Sequence, residues 1–413
     1  MKKNVLSSVF PLLVLMLVGF ASAGAAAVST ETPIVRFNVT NGFRPITGLI
    51  SDAQGNMYGT TVGGGSGPCF LLGCGVVFEL SKGANGTLTE KTIYAFKGDK
   101  AGDTDMPQSN LIFDAKGNLF GATGLDYSGY FGAIYELSPG AGGVWTDKIL
   151  YRFTQDAYNP GLQLAFDSKG NLYGIALVGN LNGIVFQLSP QADGSWKEST
   201  LCTFDLTDYP SGGVVLDGKG NIYGTTQQGG TFDYGTVYKV SPEKGGSWKK
   251  TTIYNFMEQG DGAYPTAPLM IDANGNLFGT TFFGGKDFYG VVFELSPSGG
   301  SWNETVLYTF GGPIYGPSGV VFDKKGNLYG ITANGGTGCN FPGCGTVFRL
   351  TPQAGGTWKN TTLHNFESAD DGSASQEVYP AGVLLDPATG YIYGTTQYGG
   401  GRYGYGTVFE LKP

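Results

Sequence analysis

Histidine is nearly missing from this chain: 413 residues contain one, His364. Catalysis by a Ser-His-Asp triad and metal binding by several imidazoles lose most of their support at once. Charge is also scarce, at 14% of residues. The net charge of −8 disfavours nucleic acid and anionic membrane surfaces as partners. Cysteine is limited to five residues. After the N-terminus no second long hydrophobic run appears, so stable membrane insertion is not expected.

What is abundant points one way. Glycine numbers 71 and aromatics make up 14% of the chain. The glycines are spread at turn positions, which signals many short hairpins rather than a flexible linker. With so few charges, the profile suits an all-β protein and argues against disorder.

Residues 1–23 have the form of a secretory signal. Lys2 and Lys3 form a basic start, an apolar run spans Pro11 to Gly19, and Ala21-Ser22-Ala23 is a small-x-small cleavage site. The competing reading, an uncleaved anchor, needs a longer run to cross a bilayer. A short linker is expected over 24–32, and export to the periplasm or the cell exterior follows.

The rest of the chain is organised by an octet, seen in Asp323-Lys-Lys-Gly-Asn-Leu-Tyr-Gly330. The pattern is Asp-x-x-Gly, then Asn or Tyr, an aliphatic or Met, an aromatic and Gly. Copies begin at Asp52, Asp114, Asp167, Asp217, Asp272, Asp323 and Asp386, a period of roughly 50 to 60 residues. Asp can accept from the N–H groups of a turn and Gly supplies its positive φ, so each octet reads as a hairpin. Around one copy the strands are read at 302–310, 316–323, 327–332 and 345–350. Four short strands per unit describe a propeller blade, and apolar residues on both faces fit a sheet packed between two others.

The last copy stops one strand short. The missing strand has the pattern aliphatic–aromatic–x–Phe, as in Leu307-Tyr-Thr-Phe310, and Ile34-Val-Arg-Phe37 matches it apart from Val35. The expected fold is therefore an all-β, seven-bladed propeller over 33–413. Its N-terminal strand completes the last blade, which hides edges an open sheet would expose.

In Gly-Asn-Leu-Tyr-Gly-Thr-Thr-x-x-Gly-Gly followed by Gly-Thr-Val-Phe-Glu-Leu, the chain resembles the GloVer (Gloeobacter–Verrucomicrobia) repeat family of exported bacterial proteins. The match is seen at 220–230 with 235–240 and at 275–285 with 290–295. The Asp-x-x-Gly-Asn strands are more loosely similar to NHL-type and lactonase-type propellers. The resemblance implies export and repeated β-structure, and no particular activity.

Cys69 and Cys74 flank four residues in the first copy, and Cys339 and Cys344 do so in the sixth. In an exported protein these read as two local disulfides. A zinc site would need both pairs to meet, but blades one and six are not neighbours in a ring of seven. Cys202 and His364 each take the repeat's Tyr position, so structural roles are read for both.

Two sets of side chains remain as site candidates. Asp99, Asp103, Asp105, Asp156, Asp208, Asp261, Asp370 and Asp371 precede inner strands. Calcium would draw on such carboxylates and loop carbonyls, but no loop shows a full ligand set. Aromatics are richer. Tyr158, Tyr209, Tyr264, Tyr315 and Tyr379 lie just ahead of a Pro that opens a blade, where they either pack between blades or meet a ligand. Phe131 and Tyr398 lie in the Gly-rich loops, as do Tyr130, Phe232, Tyr234, Phe288, Tyr289, Tyr403 and Tyr405, taken as the ligand-binding set. Flat amphipathic rings suit stacking on sugars or anchoring a protein. The five Trp residues occupy one repeat position at the opposite rim and read as packing residues. The resulting expectation is a monomeric, non-enzymatic binding module for an extracellular glycan or protein, without cofactor or metal. A propeller hydrolase or lyase with acidic residues in the channel, or a structural component of the cell exterior, is the alternative.

Overall fold

Each octet turns around its own carboxylate. Asp52 Oδ1 accepts from the backbone N–H groups of Gln54 and Asn56, both at 2.9 Å. Its Oδ2 accepts from Asn56 Nδ2 at 2.9 Å and the Tyr58 hydroxyl at 3.1 Å. Gly55 closes the turn at φ 84°, in the region that costs Gly nothing. The same four bonds recur at Asp167, Asp217 and Asp323. Asp114 and Asp272 lack the hydroxyl bond because Phe120 and Phe278 replace Tyr. The seventh copy departs from the octet. Its turn, Asp386-Pro-Ala-Thr-Gly390, is one residue longer, and the Thr389 hydroxyl donates to Asp386 Oδ2 at 2.8 Å in place of Asn. Burial works to raise these carboxyls. The converging donors outweigh it and hold Asp167, Asp217, Asp323 and Asp386 below the usual range.

The computed structural model describes residues 30–69, 72–83, 85–124, 131–155, 157–178, 182–312, 314–336, 343–366, 380–400 and 404–413. They form seven antiparallel sheets of four strands. Blade 1 contains Ile50–Ser51, Met57–Thr61, Val76–Lys82 and Leu88–Ala95, from the inside outward. Blades 2 to 6 follow over 112–152, 165–203, 210–255, 270–309 and 315–365. Blade 7 takes Pro380–Leu385, Ile392–Thr396 and Thr407–Lys412 from the C-terminus and Thr30–Arg36 from the N-terminus as its outer strand. Thr30 pairs with Lys412 and Arg36 with Thr407, so the strand begins three residues inside the stretch read as a linker. Phe37 N donates to Gly406 O at 3.0 Å, the bond that Phe96 makes to Gly75 and Phe310 to Gly290. The sheets are also cut at a different point from the unit read in sequence. Ser301–Thr309 is the outer strand of blade 5, not the start of blade 6.

Seven apolar clusters hold the ring, and each spans two neighbouring blades. One joins Val35, Phe37, Tyr393 and Val408 of blade 7 to Leu49, Met57, Phe78 and Leu80 of blade 1, which closes the circle. This explains the unbroken burial of the first five residues in each blade's second strand, such as Ile222–Thr226, because both faces meet another sheet. The octet's final Gly is a seat for the aromatic of the third strand: a Cβ at Gly279 would lie 2.5 Å from the Phe293 ring. Blades 2 and 4 place Tyr135 and Tyr238 there, and both hydroxyls are buried without a hydrogen-bond partner. Trp145, Trp196, Trp248 and Trp302 each pack on an octet aromatic of the preceding blade, at 5.8 to 6.3 Å between centroids. The Trp reading therefore holds.

Candidate functional site

The rim opposite the octets is built on small residues. The second Thr of each Thr-Thr turns the chain into the Gly-Gly loop: Thr226 Oγ donates to Gln228 O, Thr281 to Phe283 O and Thr396 to Tyr398 O, at 2.8 to 2.9 Å. The loop ends at the Gly of Gly-Thr-Val. A Cβ there would strike the proline that opens the next blade, at 2.8 Å for Gly235 and Pro265 and 2.6 Å for Gly406 and Pro45. The residue ahead of that proline has positive φ at Arg44, Met106, Asn159, Tyr209, Tyr264 and Gly316. Such a conformation costs on the order of 1–3 kcal/mol for a non-Gly residue and persists only where the surroundings hold it. The hold is visible. Arg44, Met106, Asn159, Tyr264 and Gly316 each donate their N–H to the residue before the seat glycine, Tyr405, Cys74, Phe131, Tyr234 and Tyr289 respectively.

This seam sorts the aromatic candidates. Tyr234, Tyr289 and Tyr405 occupy the seam position that Cys74 and Cys344 take in blades 1 and 6. They are half-buried and meet a ring of the next connector: Tyr264 at 6.1 Å, Tyr315 at 5.9 Å and Phe43 at 5.1 Å. Phe131 meets Tyr158 at 6.3 Å in the same way. Tyr158, Tyr264 and Tyr315 thus pack between loops, and Tyr209 is half-buried. Tyr130, Tyr379 and Tyr403 lie outside the described residues. Phe232 and Phe288 instead project into solvent, 49% and 48% exposed.

A third projecting ring, Phe283 at 43% exposure, escapes the sequence reading. Its signal is present: Phe282-Phe283 fills the x-x of Thr-Thr-x-x-Gly-Gly, where blade 4 has Gln227-Gln228. Leu206 and Met257 are exposed in the connectors that lead into blades 4 and 5. All five lie on one rim, in blades 4 and 5 and the connectors leading into them. Tyr234, Tyr264, Phe283 and Phe282 form a run of successive edge contacts. A hydrogen bond to Glu258 holds the Tyr234 hydroxyl above its usual range. Asp233, Glu258 and Phe288 all sit at positive φ.

The acidic set serves the connectors. Asp103 Oδ2 accepts from the Tyr94 hydroxyl at 2.7 Å and from Lys97 N at 2.8 Å. Asp261 does the same for Tyr254 at 2.7 Å and Met257 N at 3.1 Å. Asp99 pairs with Arg152 at 2.6 Å and Asp208 with Lys250 at 3.3 Å. Asp156, Asp370 and Asp371 lie outside the described residues. Among the described residues no three His, Cys, Asp or Glu side chains converge as metal ligands. Four residues before each octet Asp stand Gly48, Asn110, Gln163 and Pro268, ahead of short inner strands, and Gly213, Gly319 and Gly382, within longer ones; neighbouring blades touch there, as Asn110 Oδ1 accepts from Gly48 N at 2.9 Å. No carboxylate is among them.

Cys69 and Cys74 form a disulfide with Cα atoms 5.0 Å apart. Cys344 is buried and disulfide-bonded, and Cys339 lies outside the described residues. Cys202 is a free, half-buried thiol whose pKa burial pushes up, the opposite of what a nucleophile needs. His364 lies edge-on to Phe366 at 4.8 Å in an outer strand.

Comparison with solved structures returns propellers at low identity. BT4673, an extracellular domain assigned to a hybrid two-component system of B. thetaiotaomicron, superposes with a TM-score of 0.54 at 13% identity, over 93% of this chain and only 42% of that longer one. A Lactobacillus plantarum protein gives 0.51 at 14%, over 89% and 98%. A Xanthomonas campestris gluconolactonase gives 0.44 at 14%, over 73% and 86%. At these identities the likeness is one of fold. No curated protein sequence matches the chain. The repeat itself is matched over residues 178–409, more than half of the 413, and on that ground the chain belongs to the Gloeobacter/Verrucomicrobia repeat family.

Proposed function

We propose that this protein is exported and works as a non-enzymatic binding module that takes glycan ligands on the Gly-Gly rim of blades 4 and 5. The observation that carries the reading is the gathering of Phe232, Phe283 and Phe288, with Met257 and Leu206, on one sector of one rim. Among the described residues the only other exposed large apolar side chains are Val144 and Leu162. Projecting rings stack on the apolar faces of sugars, and Asp233, Glu258 and Asp287 beside them can accept from sugar hydroxyls. The loops that present the rings are held by the seam rather than left to fold on binding, which lowers the entropic cost of association. Export rests on Lys2, Lys3, the apolar run to Gly19 and Ala21-Ser22-Ala23, together with the Cys69–Cys74 disulfide. The enzymatic alternative draws less support, because the position four residues before each octet Asp holds Gly, Asn, Gln or Pro and no carboxylate.

A glycan array followed by titration of the best hits tests this. Phe283→Ala and Phe288→Ala should each weaken binding about tenfold or more, while Val144→Ala on the octet rim leaves it unchanged. An array on which the wild-type protein binds nothing sinks the glycan reading, and capture of a protein partner lost on the same two variants would replace it.

A further inference from the structure

We propose that the seam between blades 7 and 1 carries a second subsite, in which Arg44, framed by Phe43, Tyr398 and Tyr405, reads the carboxylate of a uronic acid residue. It lies on the same rim as the aromatic sector but opposite it in the ring, and it does not depend on that sector's ligand.

The position is one that the six described connectors present. The residue ahead of the blade-opening proline is forced to positive φ, and it is Met106, Asn159, Tyr209, Tyr264 and Gly316 in blades 2 to 6. Only in blade 1 is it a cation. Its backbone is fixed on both sides: Arg44 N donates to Tyr405 O at 2.9 Å, and Arg44 O accepts from Val62 N at 3.1 Å. Phe43 is pinned by two further backbone bonds to Gly63. The side chain therefore leaves from a rigid point.

The guanidinium lies over the Tyr398 ring at 5.2 Å and near the Phe43 ring at 5.9 Å. Tyr405 meets Phe43 edge-on at 5.1 Å. With the Gln397 carboxamide turned so that its oxygen, not its NH2, faces the cation, that oxygen accepts from Nη2 at 2.5 Å and from Nε at 3.2 Å. Gln397 is buried, so this contact sets the plane of the guanidinium. No carboxylate among the described residues pairs with Arg44, although the chain carries eight more acidic than basic side chains. With its Nε/Nη2 edge on Gln397, the planar guanidinium keeps its Nη1/Nη2 end for an in-plane, two-bond contact to a carboxylate. The adjoining rings supply a face for the sugar that bears it.

Calorimetric titration with galacturonic acid trisaccharide, and with cellotriose as the neutral control, tests the assignment on the full mature chain. Wild type should bind the uronate, more weakly as salt rises. Arg44→Gln should abolish binding, and Arg44→Lys, which keeps the charge but loses the fork, should weaken it about tenfold. Cellotriose binding should not respond to either variant. Should Arg44→Gln lower the melting temperature, the comparison rests on Arg44→Lys at matched stability. Equal uronate affinity in wild type and both variants, or no uronate binding by wild type at millimolar concentration, overturns the proposal. Uronate binding lost instead on Phe288→Ala would move the ligand to blades 4 and 5 and overturn it equally.

Discussion

The two rims of the ring solve the same problem of turning a chain back, and they solve it differently. The octet rim closes six of its hairpins with an Asp whose carboxylate collects the same backbone and Asn donors each time. The opposite rim keeps only backbone geometry constant: a proline on a glycine seat, a residue at positive φ and a connector N–H on the loop carbonyl. Its side chains are free to differ. At one seam position blades 4, 5 and 7 have Tyr and blades 1 and 6 have Cys. A rim fixed through side chains counts blades, and a rim fixed through its backbone can diversify without unmaking the fold.

Closure should show the largest effect. Removing residues 30–37 strips blade 7 of its outer strand and exposes an edge and half of a core cluster. The cooperative melting transition followed by circular dichroism should be lost, and an unchanged melting temperature would break the closure argument. Next comes the contrast between rims. Asp217→Ala leaves four donors without their acceptor and should cost about 2 kcal/mol in denaturant titrations, whereas Phe288→Ala should stay within about 0.5 kcal/mol. Equal costs at the two sites would erase the distinction.

A smaller effect is set by pH at the blade 4–5 interface. Burial first, and the neighbouring Asp261 charge second, push the Glu304 carboxyl up to about 7, and its Oε1 is buried without a partner. A carboxyl raised in the folded state favours the protonated form there. Its contribution is complete below the ordinary value of 4.5 and is lost as pH climbs towards about 7. Stability should fall by about 1 kcal/mol across that window once solvent screening of a partly exposed side chain is allowed for. Glu304→Gln should flatten the slope in urea titrations from pH 4 to 8; an unaltered slope assigns it elsewhere. The smallest change is a gain. Tyr238→Phe removes a buried hydroxyl that has no partner, and five sister blades already place Phe at this position. It should stabilise by about 0.5–1 kcal/mol, and a loss would mean that the hydroxyl is satisfied after all.

The blades were legible because their signals are local and repeated. Asp323, Gly326, Asn327 and Tyr329 lie within seven residues of one another and bond one another. Ile34 to Phe37 could be matched to its sisters because the outer strand has one pattern throughout. The site was legible only in outline. Tyr234 and Phe232 lie two residues apart in the same Gly-rich loop, and nothing in that spacing shows that the first packs in the seam and the second projects. Phe283 was passed over although it fills the variable pair of Thr-Thr-x-x-Gly-Gly, and its placement depends on the connector, where it bridges Ala263.

By itself the sequence determined the number of blades, the chemistry of each octet and the strand that closes the ring. The first two follow from contacts between near neighbours, copied until the pattern is unmistakable, and the third from a strand pattern repeated in the other blades, although its partner lies at the far end of the chain. Tertiary structure alone decided which rings face water, which acids are tied to tyrosines and connectors, and that Arg44 stands among aromatics with no carboxylate from the described residues paired with it. Each of those depends on two loops from different blades meeting at a seam, and no local pattern in one loop specifies what the other will bring.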